Sequence, residues 1–210
     1  MPEERAPSAS DRAYRHVKDR VLDGTLPGGD LISEGEIADA LGVSRTPVRA
    51  AFAQLESEGL LRLYPKRGAL VVPVSAQELE DVIETRWVIE RYAIERAILD
   101  PDDLAARLAR SADRQRRLKG REFVEADRAF HRSLVEATGN ALLLGLYDSL
   151  RDRQRRMARA TMRDGDRMTR TAKEHRAIAD AIAAQNSARA LSALRSHLDG
   201  ALSALRGRQL

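Results

Sequence analysis

Four side chains in the C-terminal half of this sequence have the types and spacing to hold a metal ion. Asp127 and His131 are four residues apart, so on a helix their side chains project side by side. They fall within the apolar stripe Phe123, Phe130 and Leu134, which marks the inward face of that helix. His175 precedes Ile178 and Ile182 by three and seven residues and shares their buried stripe. His197 follows Leu194 by three and precedes Ala201 by four. Three helices thus aim one carboxylate and three imidazoles at an apolar interior, where such groups survive by pairing or by binding metal. Taken singly, each histidine reads as a satisfied core or surface residue. Taken with Asp127, the three suit Zn²⁺, Ni²⁺, Mn²⁺ or Fe²⁺, with positions left open for water or a ligand oxygen.

A second constellation lies in the N-terminal half. Arg45 and Arg49 share one helical face, with Thr46 between them. Arginine can bond guanine bidentately, which lets one residue discriminate a base pair. The hydroxyls of Ser44 and Thr46, with the backbone N–H groups of the helix start, suit phosphate. Lys66, Arg67 and Gly68 put two cations beside a glycine, where backbone can approach phosphates or the minor groove closely. Read alone, two arginines on a helix are ordinary solvated charges. Here they open the second helix of a helix-turn-helix and a basic hairpin follows, which favours DNA.

The elements that must position these groups can be read from pattern. Residues 1–10 mix Pro, Ser and Glu and read as a disordered leader. Residues Ala13, Val17, Val21 and Leu22 fall at helical spacing, and Gly24 is a stop signal. Ser33 and Glu36 form a capping-box pattern opening a short helix to Ala40, and Gly42 breaks the chain. A helix carrying Val48, Phe52 and Leu55 begins near Ser44 to Pro47. Leu61 to Tyr64 and Ala69 to Val72 read as two strands about the turn Pro65 to Gly68. After Ser75 the pattern is helical, with segments at 76–99, 101–118, 121–137, 141–162, 167–185 and 187–206. The expected fold class is mainly α, an N-terminal winged helix-turn-helix over 11–74 followed by an all-α antiparallel helical bundle over 75–210.

Composition bounds the rest. The chain has 210 residues and a formal net charge of +4, from 36 Lys+Arg and 32 Asp+Glu. Residues 1–74 carry 10 basic and 11 acidic residues, so the basic excess lies in the helical half. Between Ala40 and Gly68, however, five basic residues face two acidic ones, a local positive face. The absence of cysteine excludes disulfide scaffolds, thiolate metal sites and cysteine nucleophiles. No apolar run approaches the ~20 residues that span a bilayer, and residues 1–10 lack a signal peptide's apolar region. A cytoplasmic protein is expected.

Residues 31–68, notably Leu41-Gly42-Val43-Ser44-Arg45-Thr46-Pro47-Val48-Arg49 and Leu55-Glu56-Ser57-Glu58-Gly59-Leu60-Leu61, resemble the winged helix of the GntR family of bacterial transcription regulators. Ala50 and Phe52 depart from that pattern, as does Gly35, which stands where several members carry a DNA-contacting Arg. The Asp127, His131, His175 and His197 arrangement is similar to the metal-binding FCD domain of the FadR subfamily. That resemblance implies a small carboxylate effector meeting the metal and an Arg from the first long helix, here Arg86. An Arg paired with Glu90 on the surface is the alternative for Arg86. Asn140 either lies near the same site or caps the following helix. Arg151, Arg155 and Arg159 either line the pocket or form a solvated face.

The expectation is a homodimeric, metabolite-responsive regulator, a repressor gripping palindromic operator DNA with two winged helices. The rival readings are a regulator sensing the metal itself, and a metalloenzyme in which Glu174 beside His175 is the candidate base. The winged helix argues against the enzyme.

Overall fold

A computed structural model describes residues 6–161 and 165–206. The chain divides into two compact units, Met1–Val74 and Ser75–Leu210.

In the first unit, α1 (Ala9–Leu22) begins inside the stretch expected to be a disordered leader. The reason is a capping box. Ser8 Oγ accepts the Asp11 N–H at 3.1 Å, and Asp11 Oδ2 accepts the Ser8 N–H at 3.1 Å. Strand β1 (Leu31–Ile32) leads to α2 (Glu34–Leu41), which Ser33 and Glu36 cap reciprocally, as their spacing predicts. Gly42, at φ 63°, ends α2 and turns the chain into α3 (Arg45–Ser57). The wing is β2 (Leu61–Tyr64) and β3 (Gly68–Val71), and the antiparallel sheet runs β1-β3-β2. Sequence patterning gave no sign of β1, because two residues are too few to alternate. Val17, Phe52, Leu55 and Ala69 pack into one buried core beneath these elements.

The second unit is a helical bundle. Its helices are α4 (Ala76–Ala97), α5 (Asp102–Gln115), α6 (Gly120–Glu136), α7 (Ala141–Ser149), α8 (Arg151–Thr161), α9 (Gly165–Ala183) and α10 (Ser187–Arg206). Ile94, Leu108, Phe130, Leu134, Ile178, Ile182, Leu194 and Leu198 form its buried centre. The helix expected over 141–162 is two helices, and residue 162 lies outside the described residues. At the junction the Ser149 hydroxyl bonds the Leu146 carbonyl at 2.6 Å, and the Leu150 N–H reaches back only to Tyr147. Both bonds take carbonyls that a continuous helix would use four residues on.

Gly68 has φ 99°, and a Cβ there would strike the Ile32 carbonyl across the β1–β3 ladder. Sheet packing alone therefore requires a glycine at this position. Gly42 has a similar left-handed φ of 63°, but open space where its Cβ would stand. Urea unfolding should show Gly42→Ala losing about 1 kcal/mol and Gly68→Ala clearly more, about 2–3 kcal/mol. Equal losses would mean the carbonyl contact is unimportant.

Candidate functional site

The first unit carries a positive groove. Arg45, Arg49, Lys66, Arg67 and Gly68 line it together with Glu34, Gly35 and Tyr64. Ser44 and Thr46 are exposed at the start of α3. Ser44 is the N-cap residue, but its side chain makes no cap bond, which leaves the hydroxyl available. The wing tip is a tight turn in which the Arg67 N–H bonds the Tyr64 carbonyl at 3.0 Å, with Lys66 at φ 64°. A lysine in the left-handed region is disfavoured by roughly 1–2 kcal/mol, so a cation is retained at the tip against local preference.

The two recognition-helix arginines are held differently. Arg49 forks onto Glu34 of α2, Nε to Oε1 at 3.0 Å and Nη2 to Oε2 at 2.9 Å. That pair holds the Glu34 carboxyl below its ordinary range through the Arg49 hydrogen bonds. Arg45 lies over Gly35, where a Cβ would meet its guanidinium at 3.3 Å. The departure at Gly35 thus makes room for Arg45.

In the second unit, α6 supplies Asp127 and His131, α9 supplies His175 and α10 supplies His197. The sequence spacing predicts this grouping. One potential ligand atom from each lies within 4.8 Å of all the others, and the three histidines are buried. Each imidazole is oriented from behind. His131 Nδ1 bonds Glu90 at 2.8 Å, His175 Nδ1 bonds Gln115 Oε1 at 2.6 Å, and His197 Nδ1 bonds Glu174 at 2.8 Å. With all three acceptors being oxygens, each Nδ1 is the donor, which leaves the Nε2 atoms for the cluster. Gln115 is fixed in this sense because its Nε2 donates to the Ala126 carbonyl at 3.0 Å. Phe130 stacks on the His175 ring at 4.1 Å between centroids.

The Nε2 atoms of His131 and His175 face one another at 3.0 Å, and Asp127 Oδ1 lies 3.6 Å from His175 Nε2. Were both Nε2 atoms unprotonated, their lone pairs would repel at that separation, and a cation between them would remove the conflict. Burial and the neighbouring imidazoles keep His175 well below the ordinary histidine range. Burial also lowers His197, against the opposing pull of Glu174. Both rings are therefore neutral near pH 7, the form that binds metal.

Arg86 is buried, and its Nε donates to Glu90 Oε1 at 2.8 Å. The pairing proposed as a surface alternative thus exists, but inside the bundle. Burial opposes ionisation of Glu90, yet Arg86 and His131 outweigh it and hold the carboxyl well below its usual range. Tyr147 also donates to Glu90, at 2.8 Å. Arg86 Nη2 is buried and has no hydrogen-bond partner. A cavity of about 90 Å³ is lined by Arg86, Asp127, His131, Tyr147, Gln154 and His197, among others.

Asn140 is exposed and its Oδ1 accepts the Leu143 N–H at 3.1 Å, capping α7; it does not line the cavity. Arg155 does line it. The side chains of Arg151 and Arg159 lie outside the described residues. Glu174, the candidate base, is occupied by His197 and by Arg167 at 3.0 Å. Gln115, Tyr147 and Gln154 were missed from the sequence, and Glu90 reads there only as a surface partner of Arg86.

A winged helix joined to a helical domain with a buried polar centre defines a DNA-binding transcription regulator, and comparison with known proteins agrees. Residues 9–71 match the bacterial regulatory proteins of the gntR family, and residues 81–200 match the FCD domain. The chain is 30% identical over 190 residues to an HTH-type transcriptional regulator in an unstable DNA locus of Streptomyces ambofaciens, covering 88% of this chain and 80% of that protein. It is 26% identical to the gluconate operon transcriptional repressor of Bacillus subtilis over 149 residues, 69% of this chain and 61% of the relative. A crystal structure of a GntR regulator from Rhodococcus sp. RHA1 superposes with a TM-score of 0.71 at 26% identity, covering 94% and 97% of the two chains. The chain belongs to the GntR family of transcription regulators and carries an FCD domain; it is not an enzyme. No helix among the described residues is long and apolar enough to cross a membrane.

The Arg86–Glu90 pair can be tested directly. Glu90→Gln keeps the shape but strands a buried guanidinium, and should cost about 3–5 kcal/mol in urea unfolding. A loss below about 1 kcal/mol would match an exposed pair instead.

Proposed function

We propose that this protein is a homodimeric, effector-responsive repressor whose FCD domain holds a divalent metal and senses a small carboxylate there. The observation that carries the reading is the set of three buried imidazoles, each with its Nδ1 committed to an acceptor, gathered with Asp127 so that one ligand atom from each lies within 4.8 Å of the others. Three nitrogens and one carboxylate oxygen suit Zn²⁺, Ni²⁺, Mn²⁺ or Fe²⁺. The bound ion would act as a Lewis-acid anchor for an oxygen ligand. The residues around it do the rest. Glu90, Gln115 and Glu174 fix the rings, and Arg86 directs an unused N–H donor at the same cavity as two of the histidines. A guanidinium donor without a partner favours an anion over the metal alone as the signal.

For DNA, Arg45 and Arg49 would read base edges, while Ser44, Thr46, Lys66, Arg67 and the backbone at Gly68 would meet phosphates. Glu34 positions Arg49 through its two-point contact. A second copy would cover apolar side chains left exposed on the FCD domain, the i, i+4 pairs Val88 with Tyr92 and Leu142 with Leu146. The repressor mode draws support from the Bacillus subtilis relative.

Two measurements test the reading. In mobility-shift titrations, wild type should saturate a palindromic operator at two chains per site, and Arg49→Ala should weaken it by about 1–3 kcal/mol while barely changing non-specific binding. Equal losses on both DNAs would sink the base-reading role. Elemental analysis should give one metal per chain, reduced at least about tenfold in affinity by His175→Ala. Full retention of metal would refute the ligand set, and operator affinity that responds to metal but to no acid would favour metal sensing.

A further inference from the structure

The FCD cavity holds two unused donors of different kinds. Arg86 Nη2 is charged; Gln154 Nε2, on α8, is neutral and buried, lies toward the Tyr147 hydroxyl without a well-formed hydrogen bond to it, and has a second N–H to offer. Both residues line the cavity that Asp127, His131 and His197 border. A buried donor left unpaired is unfavourable, so two in one cavity mark where ligand acceptors belong. Much of the remaining described wall is apolar, formed by Val82, Ile83, Phe123, Val124, Met157 and Met168. The other charged groups there are already engaged. Arg128 pairs with Glu125 at 3.0 Å, Arg167 pairs with Glu174 at 3.0 Å, and Arg155 has interactions of its own.

Resting on the metal–carboxylate reading above, we propose that the effector is a small acid with one further oxygen acceptor and an apolar remainder, and that Gln154 is the residue that reads the added oxygen. The guanidinium of Arg86 matches the carboxylate. The amide of Gln154 matches a hydroxyl or keto oxygen, which asks for a neutral donor. A polyhydroxylated sugar acid fits poorly, because its hydroxyls would be stripped of water against Val82, Ile83, Phe123 and the two methionines without gaining partners. Small size follows from the cavity, which at about 90 Å³ falls below the roughly 300–1,000 Å³ of most ligand clefts.

The test is calorimetric titration of the zinc-loaded full-length protein with three acids: 4-methylpentanoate, 2-hydroxy-4-methylpentanoate and gluconate. The hydroxy acid should bind at least about tenfold more tightly than either of the others. Gln154→Leu should cost the hydroxy acid about tenfold and the plain acid little, with zinc content as the control for folding. Gluconate binding as tight as the hydroxy acid, or equal losses of both aliphatic acids in Gln154→Leu, would overturn this inference and leave the metal–carboxylate reading intact. Failure of all three acids to bind the zinc-loaded protein would overturn both. If Gln154→Leu does not load zinc, the ranking of the acids by the unaltered protein decides the matter.

Discussion

A neutral imidazole has one proton and one lone pair, and in a dry interior neither can be left idle without cost. Three imidazoles lie buried in the FCD domain, and their arrangement follows from where their Nδ1 protons go. Glu90, Gln115 and Glu174 each take one, from α4, α5 and α9 respectively. The rings themselves come from α6, α9 and α10, so the acceptors and rings together tie five helices to one centre. The ring nitrogens that remain have only each other and Asp127 for company. That is a poor arrangement for an empty core and a good one for a cation. The apolar packing of Phe130, Ile178 and Leu194 surrounds a centre whose geometry is set by hydrogen bonds.

The sequence reveals the inner half of this arrangement and hides the outer half, for a physical reason. Asp127, His131, His175 and His197 stand out because they interrupt apolar stripes at helical spacing, and a stripe reports burial. Glu90 does not stand out. An Arg and a Glu four residues apart look the same on a wet helix face as inside a bundle, and only the packing of α6 and α7 against α4 distinguishes the cases. Gln115 and Gln154 sit in arginine-rich stretches, Arg114 to Arg117 and Arg151 to Arg156, which read as solvated. The break at Leu150 has neither Gly nor Pro to announce it, since a serine hydroxyl and one short backbone bond suffice. The helix-turn-helix was more legible, because capping boxes and left-handed glycines are local signals that need no tertiary context.

The same contrast between local and distant information applies to the winged helix. Arg45 and Arg49 look equivalent in the sequence, one turn apart on α3. In the fold, Arg49 is gripped at two points by a carboxylate on α2, while Arg45 lies over a glycine that offers no side chain at all. One arginine is therefore held in place and the other has only steric room, a difference that neighbours fifteen and ten residues upstream create.

Arg86 and Glu90 both belong to α4, and α4 starts at Ala76, five residues beyond the last residue of the wing strand β3. One helix thus carries the acceptor for a cluster histidine and the guanidinium whose Nη2 is unused, and it is the first helix after the winged helix in the chain. An anion bound in the cavity as proposed would act on the charges of that helix. The helix is about 33 Å long, so one continuous element of the FCD domain carries the Arg86 charge that lines the cavity and begins where the chain leaves the winged helix.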